Sequence, residues 1–598
     1  MTEATKTRPT SKSGIVLDLH YQVAMPNPNS HLFEVMLRVR GWQASLLDLK
    51  MPVWTPGSYL VREYAKNLQE FSARDEEERS LPWRKKSKNH WQIDTLGVSE
   101  ITVRYRIFAN ELTVRTNHLD GTHGYFNPAA LFFYIPGREQ ESIRITIVPP
   151  QAEWRVTAPL APVPEKANTF LAPDFDTLVD SPFEIGSHRS YYFEVDGREH
   201  ELAIWGQGNA EPSKIIPDIE KIIKVEADIF GGLPYDRYLF LLHLSAQGYG
   251  GLEHKNCCSL NYPRLGFRSQ DRYNRFIQLV AHEFFHLWNV KRIRPKALEE
   301  FDYEAENYTT SLWFCEGATS YYDILIPARA GIYDAKSFLQ SMSKDFSRLM
   351  TTPGRLVQPA SESSWDAWIK LYRRDANSDN CQVSYYLKGE MICWVLDLHI
   401  REQSGNERSL DDVMRYLWQE FGIAEVGYTP EQLQQAIEYV AREDLGEFFD
   451  RYVHGTEELP IEQYLELFGL RIKTKANGNG NTAPFTGLTV KSENGKNLIK
   501  FVEVGSPAVQ SGIDPDDELL AIDGLRTSAE ELPERLKDYQ PGDEIAIALF
   551  HQDELVVRSL ILGEPRPSSY RIMPVKQPTS AQEKNFRGWL KTELSDIR

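Results

Sequence analysis

Residues 280–295 read VAHEFFHLWNVKRIRP, with His282 and His286 four apart and Glu283 directly after the first. At about 100° per residue, Tyr273, Phe276, Ile277, Val280, Phe284 and Leu287 fall within about 60° of one direction and form a core stripe. The two histidines land side by side at about 180° and 220° from it, with Glu283 about 60° to one side. A single helix histidine is more often solvated or hydrogen-bonded than functional. Only 14 of the 598 residues are His, however, and this pairing lies on the polar face of a strongly amphipathic segment. Imidazoles four apart converge on one zinc ion, and the intervening carboxylate stands beside the open coordination position.

A catalytic zinc needs a third protein ligand. Glu316 in SLWFCEGATSYYD is the best candidate, because Trp313, Glu316, Gly317 and Ser320 share a face and Gly317 permits close helix approach. Glu304 and Glu306 in FDYEAENY are its rivals, in a context that reads as a loop. A metal in such a set lowers the pKa of water toward about 7 and polarises a carbonyl. A neighbouring carboxylate then takes the water's proton. Peptide-bond hydrolysis is the leading reaction, with Glu283 as the base that later passes the proton to the leaving amine.

A chain of 598 residues needs several cores to position these groups, roughly three or four at about 150 residues per domain. Runs such as GIVLDLHYQVAM, HLFEVMLRVRGW and ITVRYRIFAN alternate with period two and predict a β-rich domain over residues 1–205. Over 206–472 the period becomes helical and predicts a mainly α domain holding the motif. KANGNGNTAP marks a linker at 473–484. The run of short strands over 485–566, with GSPAVQSGI ahead of DELLAIDG, resembles a PDZ domain. In the tail, 567–598, Phe586, Trp589 and Leu590 are spaced to dock one helical turn. The expected fold class is therefore multidomain α+β.

A formal net charge of −18 argues against nucleic acid or an anionic membrane as partner. No run of 18 apolar residues is present, and the opening MTEATKTRPTSKSG lacks a signal-peptide core. Five cysteines, with Cys257 and Cys258 adjacent, fit neither a disulfide framework nor a C-x-x-C metal site, so a reducing cytoplasm is expected.

HEFFHLWNVKRIRP, FDYEAENYTTSLWFCEGATSYY, MPVWTPGSY, NHLDGTHGYFN and the PDZ-like segment together resemble the glycyl aminopeptidase family of gluzincin peptidases over nearly the whole chain. The resemblance implies a thermolysin-like catalytic domain and one zinc ion on His282, His286 and Glu316. It also implies peptide substrates with a free N-terminus and a preference for Gly or Ala there.

A looser resemblance to aminopeptidases of the N kind reaches YGGLEHKN, residues 249–256, and implies that Glu253 binds the substrate's α-amine. Leu252 and His254 depart from that pattern, where Met and Asn are usual. The residues alone allow another reading, in which Gly250 and Gly251 mark a strand bend and Glu253 is solvated. The same resemblance puts Tyr386 of SYYLKGEMICW in the place of an oxyanion-stabilising hydroxyl, with Tyr385 as its neighbouring rival.

Other signals are weaker. His118 and His123 have the look of a second metal pair, but a turn-rich loop is the preferred reading. Asp323 lies seven residues after Glu316, where a carboxylate could orient a ligand histidine. The stretch Phe485–Leu488 is placed to receive a peptide carboxylate, or else the PDZ-like segment only packs. Lys291, Arg292 and Arg294 either cap the helix end or face the cleft. Two other functions remain open: a zinc endopeptidase, and a PDZ scaffold with an inactive peptidase domain.

Overall fold

The structure, a computed structural model, describes residues 17–474 and 483–597. The MTEATKTRPTSKSG segment and most of the expected linker lie outside them. The chain forms two compact units, Met1–Thr309 with Met414–Thr429, and Thr310–Val413 with Pro430–Arg598.

In the first unit, β1 (Asp18–Ala24), β2 (Leu32–Arg40) and β3 (Glu100–Phe108) alternate buried and exposed positions as half-buried strands do. They pair antiparallel, Tyr21↔Leu37 and Leu37↔Val103, within a seven-stranded sheet. A hairpin of β4 (His118–Leu119) and β5 (His123–Phe126) belongs to a second sheet of four strands, where β5 also pairs with β6 (Phe183–Gly186).

The third sheet has five strands and includes β7 (Arg198–Trp205), β8 (Arg237–Ser245), β9 (Gly250–Glu253) and β10 (Cys257–Pro263). β8 is parallel to both neighbours and buried along YLFLLHL, the continuous apolar run expected of a strand covered on both faces. β9 closes that sheet as an antiparallel edge on β10, with Glu253 opposite Cys258.

Helices α1 (Pro212–Phe230) and α2 (Gln270–Phe285) pack beside this sheet. Their contact includes the Tyr273 hydroxyl, which donates to Asp218 at 2.7 Å. Tyr273, Phe276, Ile277, Val280 and Phe284 are buried along α2, the stripe that the helical wheel draws.

The second unit is built on α3 (Leu312–Arg329), α4 (Ala335–Met350) and α5 (Tyr385–Gln403). β11 (Leu470–Thr474) leads into a separate six-stranded sheet. Its strands β12 (Leu488–Glu493), β13 (Lys496–Val502), β14 (Glu518–Ile522), β15 (Glu544–His551) and β16 (Glu554–Ile561) lie in that order, with Leu525–Arg526 beside β14. Ile499, Leu519, Ile522, Ile547, Leu549 and Leu560 give this sheet a core of its own. The chain then returns as β17 (Tyr570–Pro574), which pairs with β11, so the sheet is an insertion held at both ends by one ribbon.

Ser347 and Ser343 on α4 fix β17 by accepting from the Tyr570 and Ile572 amides at 2.8 and 2.9 Å. The tail carries α6 (Ser580–Leu590), three turns rather than one, with Phe586 and Trp589 fully buried and the Trp589 indole donating to the Tyr321 hydroxyl. Among the described residues no helix is long and apolar enough to cross a membrane.

Candidate metal centre and peptidase site

α2 starts at Ser269, whose side chain caps the Arg272 amide, and its last residue is Phe285. His286 therefore sits at the C-cap rather than inside the helix that the sequence predicts to run on, though its backbone is still helical (φ −61°, ψ −19°). That placement fixes its chemistry. Nδ1 donates to the Asn289 carbonyl at 2.6 Å, so the proton of the neutral ring sits there and the lone pair is on Nε2. This Nε2 lies 3.1 Å from Nε2 of His282, with the ring centroids 4.6 Å apart. The face that holds both rings, opposite the apolar stripe, is partly enclosed: His286 and Glu283 are buried and His282 is half-buried.

Glu283 is backed by β9. A Cβ at Gly251 would fall inside the Glu283 carboxyl group, so a larger residue there would have to displace that carboxyl. The Gly251 carbonyl accepts from Arg115 Nη2 at 3.0 Å, which ties the edge strand to the segment before β4. Two residues on, and hence on the same face of the strand, is Glu253. It is 4% exposed, and its Oε1 is buried with no hydrogen-bond partner among the described residues. Gly57, in MPVWTPGSY, lies directly against this carboxylate.

His254, the departure from the aminopeptidase N pattern, turns to Asp180 instead, with Nδ1 at 3.1 Å. Burial alone would raise the Asp180 carboxyl, but Lys291 at 2.6 Å and His254 hold it well below the ordinary carboxylate range. Arg292 donates to the carbonyls of Leu287 and Lys255 and to Asn256 Oδ1. The basic end of the motif thus braces the turn after α2 and the strand end beyond Glu253. Asp180, Arg115 and Gly57 were not singled out from the sequence. Each acts through partners at least 74 residues away, as the Asp180–His254 pair illustrates, and no local period reports that.

In the second unit α3 and α5 meet where Gly317 and Gly389 face each other. A Cβ on Gly317 would strike the Gly389 backbone, and one on Gly389 would strike the Trp313 carbonyl. The crossing presents Glu316, 2% exposed, near the start of α5. Tyr386 is there, the second residue after the Ser384 cap. Burial raises its hydroxyl pKa well above the ordinary value, and the Glu316 charge pushes the same way. Tyr385 and Tyr386 each lie 3.2 Å from the Tyr372 hydroxyl, but Tyr385 is fully buried whereas Tyr386 keeps partial exposure.

His282, His286 and Glu316 are a group that could hold a metal ion. Two imidazoles and a carboxylate are a catalytic-zinc donor set, and the lone pair fixed on His286 Nε2 suits it. Among the described residues neither rival joins such a group: Glu304 pairs with Lys50 and Glu306 is in the loop before α3. The Asp323 charge bears on Glu390 of α5.

Residues 20–187 match the Peptidase M61 N-terminal domain, and 275–392 match the M61 glycyl aminopeptidase model. A crystal structure of an aminopeptidase N family protein from Idiomarina loihiensis is 31% identical, with a TM-score of 0.89 over 96% of this chain and 100% of that one. The chain belongs to the M61 glycyl aminopeptidase family. As a member it is a metallo-aminopeptidase, and the matched catalytic segment contains His282, Glu283, His286, Glu316 and Tyr386, with Glu253 ahead of it.

Two further solved structures overlap it at lower similarity. An M1 zinc metallopeptidase from Deinococcus radiodurans is 13% identical, with a TM-score of 0.46 over 75% of this chain and 95% of that one. Yeast LTA4 hydrolase in complex with bestatin is 13% identical, with a TM-score of 0.45 over 74% and 68%. No curated protein matches in a sequence search.

Proposed function

We propose that this M61 protein is a zinc aminopeptidase that removes a small N-terminal residue, Gly or Ala, from peptides. His282, His286 and Glu316 hold one zinc ion, which when bound polarises the scissile carbonyl and acidifies water. Glu283 takes the proton of the attacking water and returns it to the leaving amine. Held against Gly251, its carboxyl group has little room to turn away from that task. Tyr386 donates its hydroxyl to the developing oxyanion, and its raised pKa keeps that proton in place at neutral pH. Gly250 and Gly251 leave the strand beside the extended peptide free of side chains.

The observation that carries the exopeptidase reading is Glu253. A buried carboxylate oxygen without a donor costs about 1–3 kcal/mol or more, and an arriving α-ammonium would relieve that cost. An endopeptidase has no cation to offer there. The free-amine and N-acetyl forms of one alanyl peptide separate the two: the acetylated form should be turned over at least about tenfold more slowly, by the strength of one charged hydrogen bond. Equal rates would sink the aminopeptidase reading.

The inserted sheet is read as a PDZ-like module whose stretch Phe485–Leu488, with Gly487 at φ +82°, receives a peptide C-terminus. All five cysteines are free thiols, in keeping with a cytoplasmic enzyme.

A further inference from the structure

The NHLDGTHGYFN stretch contributes no residue to the peptidase site, yet it holds two histidine nitrogens that are buried without a hydrogen-bond partner among the described residues. In the β4–β5 hairpin His118 is opposite Tyr125, and the Asp120 amide donates to the His123 carbonyl across the turn. Facing residues of an antiparallel pair share a side, so His118, Asp120 and His123 emerge on one face.

Each ring has one nitrogen committed to a carboxylate. His123 Nδ1 donates to Glu184 Oε1 at 2.9 Å, and His118 Nε2 donates to Asp120 Oδ2 at 3.2 Å. In each bond the acceptor is a carboxylate oxygen, so the ring nitrogen is the donor.

The remaining nitrogens, His123 Nε2 and His118 Nδ1, are then lone pairs. Both are buried, and neither has a hydrogen-bond partner among the described residues. An imidazole that donates to a carboxylate and leaves its other nitrogen bare is the usual arrangement of a metal ligand, and His123, with Glu184 behind it, has it; His118 would reach the ion it shares with Asp120 through Nε2, the nitrogen that now lies on that carboxylate.

The spacing agrees. Two imidazoles on one tetrahedral ion at about 2.0–2.1 Å bring their centroids to roughly 5 Å. The His118 and His123 rings are 4.9 Å apart. Ligand atoms of His118, Asp120 and His123 all lie within 4.8 Å of one another. His123 is pinned by stacking on Trp205 at 3.6 Å, and Glu184 is pinned from behind by His243 Nε2 at 2.9 Å. An ion has a way in, because the Asp120 side chain is 33% exposed and that of His118 is 12% exposed.

We propose that His118, Asp120 and His123 form a second metal site, for a nitrogen-preferring divalent ion of the zinc or nickel kind. Two imidazoles among three donors disfavour calcium and magnesium, which take oxygen ligands. Glu184 and His243 are positioning residues that fix the His123 ring. All three ligands come from the hairpin, and the sheet of β7 and β8 supports them only through Trp205 on His123 and His243 on Glu184.

The test is metal stoichiometry on the full-length chain, stripped with chelator and titrated with zinc by calorimetry, in a background with His282→Ala and His286→Ala. About one equivalent should still bind. Adding His118→Ala or the more conservative His118→Gln should abolish it, and Glu184→Gln should weaken it by about ten- to a hundredfold. Circular dichroism identifies any variant that fails to fold, and His118→Gln at a partly exposed position keeps the test open if His118→Ala does. A folded background variant that binds no zinc overturns the site. So does zinc binding that is indifferent to both His118 substitutions.

Discussion

The chain presents two pairs of histidines by two different backbone devices. On α2 the pair is four residues apart, and the helical period alone puts the rings side by side, with centroids 4.6 Å apart. In the β4–β5 hairpin the pair is five residues apart, and the rings meet at 4.9 Å only because the chain reverses at Asp120–Thr122. Each pair has one ring whose far nitrogen is fixed by an acceptor, the Asn289 carbonyl for His286 and the Glu184 carboxylate for His123. What separates them is the neighbouring carboxylate. On α2 Glu283 stands beside the pair and is clamped by a glycine of β9. In the hairpin Asp120 is already occupied by Thr122 and His118. On the proposed readings, the first arrangement leaves a base for catalysis and the second leaves only ligands.

The sharpest way to break this comparison is to remove the base from the helical pair. Glu283→Gln should lower turnover of an alanyl reporter by about two to four orders of magnitude, with zinc content unchanged. Loss of zinc together with activity would mean that Glu283 helps to hold the ion, and the distinction between the two pairs would fail. Displacing the base should cost less than deleting it. Gly251→Ala puts a methyl group where the Glu283 carboxyl now is, and a shift of about 1 Å should cost on the order of a hundredfold in kcat. An active Gly251→Ala enzyme would show that the strand does not clamp the base.

The difference between the pairs also explains what could be read from the sequence. H-E-x-x-H is legible because its geometry is local, and the wheel places both rings correctly although α2 stops at Phe285, one residue short of the second. Glu316 was reachable from the small residue beside it, since Gly317 signals a helix crossing. The hairpin pair was not legible in the same way. Whether His118 and His123 share a face depends on register, and the residue that fixes His123 is Glu184, 61 positions away. The alternating strands and the apolar stripe of α2 follow from periods two and 3.6. The return of β17 onto β11, which makes the C-terminal sheet an insertion rather than an appendage, joins segments about 100 residues apart that carry no mutual signal.

Glu253 tests the helical site at its amine end and should give a smaller effect. Glu253→Gln keeps the shape and removes the charge. kcat/KM for free-amine peptides should fall by about ten- to a hundredfold, mainly through KM, which corresponds to one charged hydrogen bond. N-acetylated peptides should be unaffected. A fall of the same size for both peptides would show that Glu253 supports the strand rather than the ammonium.

The smallest effect on activity is expected from the hairpin. Its third donor, Asp120, is shared with a histidine and a threonine and is one-third exposed, whereas Glu316 is buried at a helix crossing. Under a graded chelator titration the hairpin should therefore release its ion first. Activity should change by less than about twofold while the first equivalent leaves, and collapse with the second. Release in the opposite order, with activity lost first, would mean that burial of Glu316 does not make the helical site the tighter one. The contrast drawn from the two carboxylates would then not extend to affinity.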